Sequence, residues 1–121
     1  MSPDELQTLI EEATYDFTMG DSGAALAKLG RATTDEPGSF EAWHAFAEVN
    51  LSLRHLDAAL AAAERANALQ PGDLLICATL SRIWMERGDK AKAEHFGAQA
   101  RIQSWKEELK NPPPANADRL H

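Results

Sequence analysis

Residues 20–32 read GDSGAALAKLGRA, and residues 88–100 read GDKAKAEHFGAQA. The two stretches share a Gly-Asp start and carry alanines at the same places. They begin 68 residues apart, and the half-period of 34 is also filled: Ala25, Ala59 and Ala93 stand 34 apart, as do Ala32, Ala66 and Ala100, and Pro37 and Pro71. A fixed period of this length is the mark of a repeat array. A third copy therefore lies between the two quoted ones, with Arg54-His55 where its neighbours have Gly-Asp.

Each copy reads as two helices. Ser2 is placed to cap the first, with Pro3 at its first position and Glu5 where a capping-box acid reaches back; it runs to about Met19 and stops at Gly20. The second runs from about Ser22 to Thr34 and ends at Pro37-Gly38-Ser39. Ser39 caps a third over about 40–53, and a fourth over about 57–69 closes at Pro71-Gly72. Asp73 caps a fifth over about 74–87. The sixth is the longest, about 90–110, because nothing breaks it before Asn111 and the prolines at 112–114. Residues 111–121, NPPPANADRLH, read as a disordered tail. Runs of alternating β-branched residues are absent, and DAALAAAERANALQ (57–70) has high helix propensity. Small residues at the repeated alanine positions let paired antiparallel helices approach closely.

The 121 residues are enough for one domain that folds without metals or disulfides. The single cysteine, Cys77, excludes an internal disulfide and fits a reducing, cytoplasmic setting. The start, MSPDELQTLIEEA, lacks the basic and apolar regions of a signal peptide, and no stretch approaches the ~20 apolar residues of a membrane helix. The net charge of −7 is uneven: residues 1–39 hold eight acids and two bases, residues 74–121 six acids and eight bases. This balance disfavours nucleic acid, which rewards basic patches. The bases of the C-terminal third are interleaved with acids and read as a solvated face.

The pattern resembles the tetratricopeptide repeat over about residues 6–105. In the second copy Trp43, Phe46, Ala47, Ala59, Ala66 and Pro71 stand in the family's characteristic slots. The first copy matches with Leu9, Ala13, Ala25, Leu29, Ala32 and Pro37, the third with Leu80, Ser81, Trp84, Ala93 and Ala100. Departures are Glu12 for a leucine, Ala63 and Gly97 for a bulky residue, and Trp105 for the last proline. The resemblance implies an all-α, right-handed superhelical solenoid of three antiparallel hairpins (about 6–39, 40–73 and 74–107), with six helices and the last one extended.

The same resemblance places the first helix of each hairpin on a concave, peptide- or helix-binding surface. Carried over residue by residue, it gives four layers: Gln7/Glu41/Leu75, Ile10/His44/Ala78, Thr14/Glu48/Arg82 and Phe17/Leu51/Met85. Positions 41, 44, 48 and 51 step by three or four, which is one helix face. The candidate groove residues are Ile10, Thr14, Phe17, Glu41, His44, Glu48, Leu51, Arg82 and Met85. Phe17 and Leu51 have a second reading as packing between helices. Met85 suits a groove, because a flexible thioether adapts to varied partners. Trp43 and Trp84 read as core. The family's carboxylate clamp for chaperone tails needs bases where this chain has Ile10, Thr14, Ala45, Leu75 and Thr79, so that partner is not expected.

Signals for chemistry are few. His44 and Glu48, with Glu41 a turn earlier, have a spacing that can face a metal. With no further histidine or cysteine nearby in sequence, they read instead as a solvated, ion-pairing face, and no metal is expected. Cys77 falls in the slot of Trp43 and reads as a small buried hydrophobe. There is no P-loop and no dinucleotide fingerprint, so no cofactor is expected.

Ile102, Trp105 and Leu109 form an apolar stripe on the end of the sixth helix. It can fold back as a cap over the third repeat, the favoured reading, or serve as an association surface in a homo-oligomer. The expected function is a protein–protein interaction module that binds a peptide or helical segment, as a scaffold, chaperone-like or assembly factor, and not an enzyme. The alternative is a self-assembling subunit that uses the terminal helix and the acidic-to-basic asymmetry of its ends.

Overall fold

The computed structural model describes residues 1–112, and every regular element among them is helical. The helices are α1 (Pro3–Thr18), α2 (Ser22–Asp35), α3 (Phe40–Ser52), α4 (Leu56–Leu69), α5 (Leu74–Glu86) and α6 (Lys90–Lys110). Their bounds follow the expected ones closely. The expected disordered tail falls mostly on 113–121, outside the described residues; Asn111 and Pro112 are exposed.

The Gly-Asp motif has a local physical cause. Gly20 (φ 90) and Gly88 (φ 83) take the left-handed conformation that ends one helix, and each following aspartate caps the next. Asp21 accepts from the amide of Ala24 at 3.1 Å and Asp89 from that of Lys92 at 3.0 Å. In the middle copy Arg54 is forced into the same left-handed turn (φ 62), and His55 makes no side-chain cap bond. Ser2, Ser39 and Asp73 cap their helices, and Ser2 and Glu5 form a reciprocal capping box.

Each helix packs on the next in the chain. In addition α1 touches α3 and α3 touches α5, whereas among the described residues no such approach joins α2, α4 and α6 to one another. The odd-numbered helices therefore form the tighter, inner row of a curved array, and the even-numbered ones the splayed outer row. This is an all-α solenoid of three antiparallel hairpins. The repeated alanines are its seams: Ala25, Ala32, Ala59, Ala66 and Ala93 are all buried.

The core has two parts. The N-terminal part gathers Leu9, Ile10, Ala13, Leu29, Ala42 and Val49; the C-terminal part gathers Ala47, Ala63, Ala66, Ile76, Leu80 and Ile83. Helix α3 belongs to both, and Phe46 packs against each of them. Cys77 is buried, and Trp43 packs on the C-terminal core while its indole N–H donates to the Pro37 carbonyl at 2.9 Å. Trp84 differs from the core assignment. It is half-buried, with the Lys92 ammonium 4.2 Å and the Arg87 guanidinium 5.5 Å from its ring centre.

The fold-back of the last helix is not met either. α6 runs unbroken to Lys110, and Ile102, Trp105 and Leu109 are 48%, 67% and 84% exposed. No proline or glycine interrupts the helix between Gly97 and Asn111, so backbone hydrogen bonding carries it straight past its partner α5.

Candidate functional site

Helices α1 and α3 enclose a groove of about 400 Å³ on the inner row. Phe17 and Ala45 give it apolar surface over buried Val49; Thr14, Glu41, His44, Glu48 and Ser52 give it polar groups. Among the described residues its lining holds two carboxylates and no lysine or arginine. Five of the nine candidate groove residues therefore meet around one space.

The other four lie elsewhere. Ile10 is buried in the N-terminal core and does not line the groove: α1 and α3 approach each other there, and a branched apolar side chain is driven into the space between them. Leu51 is half-buried and packs on the C-terminal core. Met85 stands free on α5, 55% exposed, and Leu75 on the same helix is similarly open. Arg82 is engaged across the repeats.

That engagement joins the second and third hairpins along the inner row. One Arg82 Nη2 lies 2.6 Å from both carboxylate oxygens of Glu48, 34 residues earlier. Glu48 Oε1 also lies 2.9 Å from the Thr79 hydroxyl and 3.4 Å from His44 Nε2, which is itself 3.3 Å from Thr79 Oγ1. The bond from His44, then those from Arg82 and Thr79, push the Glu48 carboxyl down to about 2 against the opposing effect of burial. Glu48 is thus an anion already answered from within, which leaves Glu41 as the exposed carboxylate of the groove, with no ion pair among the described residues.

Sequence reasoning found the Glu48/Arg82 layer but not Thr79, the buried hydroxyl at its centre. It also missed a second space of about 440 Å³ between α4, α5 and α6, bounded by Trp84, Lys92, His95 and Phe96. A tryptophan beside two nearby bases, Arg87 and Lys92, is the signal that points there. Among the described residues no three histidine, cysteine, aspartate or glutamate side chains converge to hold a metal, and no helix is long and apolar enough to cross a membrane.

The fold has a counterpart among solved structures. The chain is similar in fold to the crystal structure of MamA protein, with a TM-score of 0.76 and 17% sequence identity. The match takes in 90% of this chain and 59% of that one, so the chain spans less than two-thirds of its length. At this identity the likeness speaks for the fold alone: a TPR-like helical repeat. No family model matches the sequence, and no curated protein does.

Proposed function

We propose that the chain is a protein-interaction module whose inner row receives a peptide or helical segment of a partner protein. The observation that carries this reading is the groove between α1 and α3. It offers apolar surface from Phe17 and Ala45 beside the exposed carboxylate of Glu41, with no lysine or arginine among its described lining residues. Such a surface suits a segment with one or two apolar anchors and a nearby lysine or arginine, the pattern of helix-in-groove recognition. Met85 and Leu75 extend the apolar surface along α5, one repeat further on. The Glu48–Arg82–Thr79–His44 network stiffens the inner row between the second and third hairpins, so the groove is held before the partner arrives.

The test is selection of binders from a random peptide library, followed by mapping of amide shifts on the labelled protein. Selected peptides should be apolar and basic, and the shifts should concentrate at Thr14, Phe17, Glu41 and His44. Glu41→Lys should weaken them by about tenfold or more without moving the melting temperature. Shifts centred on Trp84 and Phe96 would transfer the site to the space between α4, α5 and α6.

A further inference from the structure

The two ends of the array fit each other. Tyr15, Val49 and Ile83 occupy the same slot in successive repeats, and their exposures are 65%, 5% and 0%. Val49 is buried against the preceding hairpin in the cluster that holds Leu29 and Ala32, and Ile83 in the cluster that holds Ala63 and Ala66. Among the described residues no hairpin precedes Tyr15. The same face of α1 carries Thr8 in the slot of buried Ala42 and Ile76, and Met19 in the slot of half-buried Leu53. At the other end Gly97 and Ala100 repeat the slots of Ala63 and Ala66, yet they are only half-buried, and among the described residues no hairpin packs over them.

The side chains across these seams change in step. Leu29 shares a core with Val49, Ala63 with Ile83, and the open pair is Gly97 with Tyr15. As the outer-row residue shrinks from leucine to alanine to glycine, the inner-row residue grows from valine to isoleucine to tyrosine. Large against small across a seam is what close packing requires. Charge agrees: α1 carries five acids and no lysine or arginine, whereas α6 carries five bases and three acids. Arg101 on α6 is exposed in the slot that buried Thr33 and half-buried Asn67 fill at the inner seams.

We infer that a second copy of this chain docks head to tail, α1 of one copy on the α5–α6 end of the next, continuing the solenoid across the junction. The contact uses the ends of the array and leaves the inner-row groove free, so it stands apart from the reading above. It is heterologous: each copy offers one knob and one hole, and the association does not close at a dimer.

Sedimentation velocity over a concentration series tests it. Wild-type mass should rise with concentration past the dimer, and less steeply at high salt, where the α1–α6 charge attraction is screened. Tyr15→Asp removes the knob and Arg101→Glu sets like charge beside the α1 acids. Each should weaken association by about tenfold or more while helicity and melting stay those of the wild type. Mixed in equal amounts, the two variants should form a dimer and go no further, because one sound knob and one sound hole remain between them. A wild type that stays monomeric up to its solubility limit overturns the inference. So does a mixture that fails to dimerise, or an assembly that Tyr15→Asp leaves intact while Trp105→Ala with Leu109→Ala disperses it.

Discussion

The buried alanine seam can be tested within one helix. Ala59 is fully buried in the C-terminal core, among Ala62, Ala63, Ala66 and Ile83, whereas Ala61, two residues on, faces solvent. Leucine at either site has nearly the same helix propensity as alanine. At position 61 it should therefore change stability by less than about 0.5 kcal/mol. At position 59 the three added carbons would be worth about 2 kcal/mol if the core had room for them. It has none: interiors pack at crystal density, and α3 must move away from α4 to admit them. Overpacking of this kind costs about 1–3 kcal/mol. Urea unfolding followed by circular dichroism reads the difference as a lower midpoint concentration at an unchanged slope. If Ala59→Leu is as stable as Ala61→Leu, the seam is not packed as described and the account of the period is wrong.

Three other perturbations have expected outcomes. Because Glu48 has its pKa depressed in the fold, from an ordinary 4.5 to about 2, its contribution is present above pH 4.5 and is lost as pH falls towards 2. The whole shift corresponds to about 3 kcal/mol, but a side chain 36% exposed is screened, and about 1 kcal/mol is the working figure; the stability gap between wild type and Glu48→Gln should close by that amount on acidification, and a constant gap would contradict the network. Arg54→Val should be at least about 1 kcal/mol less stable than Arg54→Gly in urea, since the left-handed turn penalises a branched side chain and not glycine. Trp105→Ala with Leu109→Ala should shift the melting temperature of dilute protein hardly at all, by less than about 0.5 kcal/mol in stability, because both side chains stand in solvent; a large drop would restore the capping role.

The fold was legible because its determinants are local and recur. The Gly-Asp turn and the capping serines each act within one hairpin and occur in two of the three copies, and the alanine seam recurs in all three at a period of 34. The site was legible in part, for a reason Ile10 and Thr79 make plain. Both sit in slots that the period assigns to the inner row, but burial there depends on how closely α1 and α3, or α3 and α5, approach, and spacing along one helix does not encode that distance. Trp84 shows the converse. Its slot reads as core, yet the bases at 87 and 92 draw its ring to the rim of a cavity. The end of α6 was misread because a solvent-exposed apolar stripe and a folded-back cap have the same sequence.

Helix α3 gives one face to each half of the core, with Phe46 shared between them. In a one-dimensional array, cooperativity is only as strong as the coupling between neighbours. The central hairpin is supported from both sides and each terminal hairpin from one, so opening should begin at α1 and α6 and travel inward. Amide exchange should rank accordingly: slowest in α3 and α4, and faster towards either end. Phe46→Ala would then do more than lower stability. It would loosen the coupling, and the single unfolding transition should divide into two, one for each half.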